Sequence, residues 1–154
     1  MHLLLVRHGI PLPREEDPQK GLSDKGRREV KKVASHLKKT GVTVDAVWES
    51  GKKRATQTAE ILASSLMAGR GTAAEKPGIA PNDPVEKLAE ELSGRSGDLM
   101  IVGHLPFLSR LVSLLLLGKE APDVVVFQPG GVVSMDRYGD GKWAIRWMVV
   151  PSML

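Results

Sequence analysis

Two short apolar runs constrain the fold most: Leu3-Leu4-Leu5-Val6 and Leu99-Met100-Ile101-Val102. Neither shows the polar alternation of a strand with one wet face. Each therefore reads as a strand covered on both sides, as in a parallel sheet held between helices. The intervening sequence supplies those helices. Ser23 is a plausible N-cap for a helix running to about Lys39, with Val30, Val33, Ala34 and Leu37 on one face and Gly41 beyond its end. Val44 to Trp48 reads as a second strand. Ser50 then caps a helix from about Lys52 to Met67, with Ala55, Ala59, Leu62 and Leu66 along one stripe.

Residues 68–84 are rich in Gly, Ala and Pro and read as irregular, followed by a short helix from Val85 to Leu92. The Asp98–Gly103 strand leads into a helix marked by Leu108, Leu111, Val112 and Leu115. Val124–Phe127, Gly131–Arg137 and Trp143–Val149 read as further strands, the last two joined by the turn signal Tyr138-Gly139-Asp140-Gly141. The expected fold is an α/β three-layer sandwich. It has a mostly parallel sheet with an antiparallel edge and helices on both faces. At 154 residues it forms a single domain, residues 1–154.

The order of these elements gathers special side chains. Arg7 and His8 directly follow the first strand, Arg54 lies in the first turn of the helix after the second, and His104 directly follows the Asp98–Gly103 strand. Ligands in open α/β sheets bind beyond the carboxyl ends of the strands, so two arginines and two histidines are expected at one edge. Guanidinium forks match phosphate oxygens and stay charged. The turn at Gly9 and the helix start after His104 can add backbone N–H groups. A histidine between two arginines has its protonated form disfavoured and is the better nucleophile for it. Such a cluster suits phosphoryl transfer without a metal.

What the chain lacks narrows the chemistry further. It contains no cysteine, which removes disulfides, thiolate metal sites and a cysteine nucleophile. Four histidines without the usual carboxylate spacings do not make a metal site, and no cofactor is expected. The longest apolar run, Leu111 to Leu117, is interrupted by Ser113 and far too short for a membrane span. The first residues reach Arg7-His8 before a signal-peptide apolar region could develop, so a cytoplasmic protein is expected. The net charge of +4 favours anionic partners, but six aromatic residues give no pattern for nucleic acid. Gly51-Lys52-Lys53 lacks the remainder of a P-loop.

Several segments carry a resemblance. Val6-Arg7-His8-Gly9 resembles the RHG signature of the histidine phosphatase, or phosphoglycerate-mutase-like, superfamily. Leu22-Ser23-Asp24-Lys25-Gly26, the Ser50–Glu60 stretch containing Arg54-Ala55-Thr56-Gln57-Thr58-Ala59-Glu60, and Val102-Gly103-His104 resemble its further motifs in the family's order. The resemblance implies that His8 is the nucleophile that becomes phosphohistidine. It implies that Arg7 and Arg54 bind the phosphoryl group, and that His104 donates a hydrogen bond to it. The backbone around Gly9 and the N–H of Leu105 would complete the pocket. Small size and His104-Leu105-Pro106 resemble the SixA-type phosphohistidine phosphatases.

The expected function is thus a phosphatase removing phosphate from phosphohistidine on a protein. The alternatives are a small-molecule phosphomonoesterase of the same superfamily and a phosphate-binding regulatory module without turnover. Ester substrates would need a general acid, because an alkoxide leaves poorly. Glu75, Asp83 and Glu86 are the candidates, with Asp83 first. The sequence favours no committed acid, which suits an imidazole leaving group. The first helix is densely basic (Lys25, Arg27, Arg28, Lys31, Lys32, Lys38, Lys39). It reads as a solvated face, with docking of an acidic phosphoprotein as the sharper alternative.

Overall fold

The computed structural model describes residues 1–69 and 71–154. The chain runs through β1 (His2–Arg7), α1 (Asp24–Lys39), β2 (Ala46–Glu49), α2 (Lys53–Leu66), β3 (Ala74–Glu75), α3 (Glu86–Gly94), β4 (Leu99–Gly103), α4 (Phe107–Leu117), β5 (Val132–Arg137) and β6 (Trp143–Val149). The described residues form one sheet in the order β3-β2-β4-β1-β5-β6. β3, β2, β4 and β1 are parallel; β5 and β6 add an antiparallel edge.

The uninterrupted apolar runs are explained by two cores. Leu3, Leu5, Leu99 and Ile101 point into one, with Leu88 and Leu92 of α3 and Phe107, Leu108, Leu111 and Val112 of α4. Leu4, Val6, Met100 and Val102 point into the other, with Val30, Val33, Ala34 and Leu37 of α1 and Ala55, Ala59, Leu62 and Leu66 of α2. Successive strand residues face opposite sides, so a strand with helices on both faces must be apolar throughout. The α/β three-layer sandwich is as expected.

Three local readings need correction. Val124–Phe127 is not a strand. β4 and β5 occupy both edges of β1, and β6 pairs with the other edge of β5, so the centre of the sheet is filled without it. Its strand-like alternation is real: Val125 and Phe127 are buried while Val126 is 82% exposed. The segment is extended and packed, without strand pairing.

Within the stretch read as irregular, Ala74–Glu75 pairs with Trp48–Glu49 as β3. Two exposed residues carry no periodicity that could announce a strand. Arg70, in the same stretch, lies outside the described residues.

Ser50 does not cap α2 in the ordinary way. That helix starts after Lys52 with no side-chain cap, and Ser50 Oγ sits a long 3.4 Å from the Lys52 N–H. The hydroxyl is engaged elsewhere, as shown below. Ser23, by contrast, caps α1 as expected. Its Oγ accepts from the Gly26 N–H at 3.0 Å and donates to the Ile10 carbonyl at 2.8 Å.

Candidate active site

β1 and β4 lie side by side with Arg7 opposite Gly103, so the residues after them emerge together. The His8 N–H donates to the Gly103 carbonyl at 3.1 Å, extending the pairing past the strand end. The His8 and His104 rings are consequently 5.0 Å apart between centroids, tilted by 46°.

The hydrogen bonds assign complementary tautomers. His8 Nδ1 lies 2.8 Å from the Gly9 carbonyl oxygen, which can only accept. Nδ1 therefore carries the proton and Nε2 keeps its lone pair. In His104, Nδ1 is buried without a partner, while Nε2 lies 2.6 Å from Ser50 Oγ. A buried, unpaired N–H costs more than a buried, unpaired lone pair, so Nε2–H is the protonated position and donates to Ser50. One imidazole presents a nucleophilic nitrogen; its neighbour presents a donor.

Electrostatics hold both rings neutral. Burial pushes His8 down to about 4; the Gly9 hydrogen bond, the next-largest influence, opposes it, and repulsion by Arg54, Arg7 and Lys20 adds to it. His104 is pushed down to about 3 by burial and then by His8, Arg54 and Lys52. Burial also lowers the pKa of both guanidinium groups, which nonetheless stay charged. Arg7 Nη1 donates to the Phe127 carbonyl at 2.9 Å, and its buried Nε has no partner among the described residues.

Several supporting groups were not singled out from sequence. Thr58, fully buried, accepts from the Gly9 N–H at 3.0 Å and donates to the Arg54 carbonyl at 2.7 Å. Glu49, 5% exposed, accepts from the Gly51 N–H at 2.6 Å and from Thr56 Oγ1 at 2.7 Å, tying the loop that carries Ser50 to the first turn of α2, which carries Arg54. Gly130 N–H bonds to the Arg7 carbonyl at 2.9 Å and the His8 carbonyl at 3.2 Å. The last of these arises in the segment misread as a strand and the turn after it. Thr58 had a sequence signal, being four residues after Arg54 on the same helix face.

Two glycines permit the close approach of these parts. A Cβ on Gly9 would come 2.9 Å from Val30 Cγ2. A Cβ on Gly26 would drive into the backbone of Ile10, 2.9 Å from its nitrogen and closer still to its carbonyl oxygen. Leu105 begins the turn into α4, whose Leu108 N–H bonds back to the His104 carbonyl at 2.9 Å.

The candidate acids separate. Asp83 Oδ2 accepts from the Ala80 N–H at 2.8 Å, closing its own turn. It lines a cavity with Lys76, Ile79 and Lys87 that contains neither histidine of the pair nor Arg54. Glu86 lies near Glu120, which is paired with Arg110 at 2.7 Å. Glu75, in contrast, lays its carboxylate directly against Gly51, beside Ser50. Among the described residues no group of three or more His, Asp or Glu could hold a metal ion.

Comparison with known proteins follows the same lines. The sequence model of the histidine phosphatase superfamily (branch 1) matches residues 3–73. An uncharacterized protein of Picosynechococcus sp. is 30% identical over 126 residues, covering 77% of this chain and 75% of that one. The chain belongs to the histidine phosphatase superfamily. Among solved structures, the protein histidine phosphatase SixA complexed with tungstate superposes with a TM-score of 0.82 at 24% identity, covering 99% of both chains. A phosphoserine phosphatase of Entamoeba histolytica, in complex with 3-phosphoglyceric acid, gives a TM-score of 0.70 at 17% identity, covering 96% of this chain and 95% of that one. These likenesses establish the histidine phosphatase fold across the whole chain. The superfamily match ends before His104, which joins the site through β4.

Proposed function

We propose that this chain removes the phosphoryl group from phosphohistidine on a protein, through a covalent phosphohistidine at His8. The observation that carries this reading is the His8 geometry. Its Nδ1 is tied to the Gly9 carbonyl, its ring is held neutral, and Nε2 is left with a lone pair beside two arginines.

In the proposed reaction the phosphoryl oxygens bind Arg7, Arg54 and His104, whose Nε2–H exchanges Ser50 Oγ for a phosphoryl oxygen, with the backbone at Gly9 and Leu105 closing the pocket. Arg7 Nε, unpaired among the described residues, gains an acceptor. The His8 Nε2 lone pair attacks phosphorus as the substrate P–N bond breaks and its electron pair returns to the substrate imidazole. A substrate ring protonated on its other nitrogen leaves neutral, while His8 becomes the matching phospho-imidazolium with Nδ1–H still bonded to Gly9. This exchange of one imidazole for another needs no proton transfer. Water then attacks phosphorus, the P–Nε2 bond breaks, the electron pair returns to His8, and both water protons leave on the phosphate. The placement of Asp83 in its own turn fits such an acid-free step. The expectation of a cytoplasmic setting remains part of this proposal; no described helix is long and apolar enough to cross a membrane.

The closer structural likeness to SixA supports the protein substrate. A second reading, a small-molecule phosphomonoesterase, is favoured by Glu75, whose carboxylate beside Ser50 could protonate an alkoxide. The two are separated by comparing kcat/KM for a phosphohistidine peptide and an aryl or sugar phosphate in wild type and Glu75→Gln. Preference for phosphohistidine, insensitive to Glu75→Gln, is expected. A loss of about a hundredfold on esters, with esters the better substrates, overturns the protein-substrate reading.

A further inference from the structure

Beside the phosphoryl pocket lies a cleft of about 650 Å³ that shares Arg54 with it. It is lined by Arg14, Lys20, Lys52 and Lys53 as well, against a single carboxylate, Glu60. Lys53 is paired with Asp17 at 2.9 Å. Among the described residues, Arg14, Lys20 and Lys52 form no ion pair. Lys20 is near enough to His8, and Lys52 to His104, to oppose protonation of those rings. The basic face of α1 contributes nothing to this cleft. Lys31 and Lys38 line a separate depression with Ile61, Ser64 and Ser65.

Lys20 has a backbone that a lysine adopts reluctantly. Its φ is 51°, and every other described residue with positive φ is a glycine. The conformation is built rather than loose. Asp17 accepts from the Lys20 N–H through its carbonyl at 2.8 Å, and from the Gln19 and Gly21 N–H groups through its carboxylate at 3.0 and 2.9 Å. Glycine would occupy this position without strain, so the side chain is the reason to look for a role outside folding.

We infer that this cleft is a subsite for an acidic peptide segment flanking the phosphorylated histidine, with Lys20 as its principal specificity-determining residue and Lys52 and Arg14 as supporting cations. The inference deepens the protein-substrate reading and rests on it. Each carboxylate seated beside an unpaired cation adds a modest screened attraction, and two or three together favour an acidic over a neutral flank by about tenfold.

The test uses the full-length enzyme and two phosphohistidine peptides of equal length, one with Asp and Glu flanking the phosphorylated residue and one with Ser and Gln. Wild type is expected to prefer the acidic peptide about tenfold in kcat/KM, mainly through KM, with the preference shrinking as salt rises. Lys20→Gly, and more so Lys20→Gly with Lys52→Ala, should reduce the ratio to about twofold. Lys20→Gly should also keep or raise the melting temperature, because the strained backbone is relieved. A role for Lys20 confined to folding would leave the ratio intact. Equal rates on the two peptides in wild type, or an undiminished preference in the double variant, overturn the inference while leaving the phosphohistidine reading standing. Turnover of esters with neither peptide hydrolysed overturns both.

Discussion

Thr58 Oγ1 accepts the Gly9 N–H at 3.0 Å, which ties the turn after the His8 strand to the helix that carries Arg54. The same hydroxyl donates to the Arg54 carbonyl, so one buried atom sets the distance between the proposed nucleophile and a phosphate-binding arginine. Thr58→Val keeps the shape and removes both bonds. The expected result is a loss of about 1–3 kcal/mol in stability from the stranded Gly9 N–H. The misplaced pocket should also lose about tenfold to a hundredfold in kcat/KM. Thr58→Ser should restore most of the activity. Wild-type kinetics in Thr58→Val would remove the positioning role.

His8→Ala should abolish both turnover and the acid-labile labelling of the enzyme by substrate phosphate. Phosphate or vanadate binding should survive in part, since Arg7, Arg54 and His104 remain. Two guanidinium groups supply the positive charge that phosphoryl transfer needs and neutral His104 adds a hydrogen-bond donor, so chelation with EDTA is expected to leave the rate unchanged. Normal turnover by the variant would end the covalent mechanism.

The neutral histidines predict an acid-tolerant enzyme. Attack needs the Nε2 lone pair of His8, which persists down to about pH 4, so the enzyme-side limb of kcat/KM should fall there and not near 6.5. Stability follows the same groups. Both folded-state values lie below the unfolded one, so the unfolded chain takes up protons first as pH drops. The contribution is complete above about 6.5 and is lost progressively as pH falls through about 4 for His8 and about 3 for His104. Denaturant titrations of wild type and His104→Gln across pH 3–7 would show a smaller acid loss in the variant; identical slopes would contradict this account.

Gly26→Ala tests the seam between α1 and the chain after the His8 turn. The new methyl meets backbone, which cannot swing away as a side chain can. A destabilisation of about 2 kcal/mol or more is expected, read as a drop in denaturation midpoint. A neutral effect would mean that α1 can shift without disturbing Ile10.

The architecture was legible in the sequence because covering a strand on both faces leaves no room for polar residues. Leu3–Val6 and Leu99–Val102 announced the centre of the sheet, and helix stripes such as Val30, Val33, Ala34 and Leu37 announced its layers. The grouping of Arg7, His8, Arg54 and His104 followed from chain order alone. Val124–Phe127 misled because alternating burial records packing and says nothing about whether a hydrogen-bonding edge is free. Ser50 misled because a serine before a helix usually serves the helix, whereas here its hydroxyl pairs with His104. Glu75 attracted less attention than Asp83 because its approach to Gly51 depends on β3, a two-residue strand with no periodic signature.

The pairing of β1 with β4 joins segments about a hundred residues apart in sequence. His8 therefore meets His104 only after a long loop has closed and the centre of the sheet has zipped. Nothing assembled earlier, however much local helix it holds, contains both imidazoles. Appearance of activity during refolding should therefore lag behind helix formation, so that the recovery of turnover reports long-range strand pairing and not local helix.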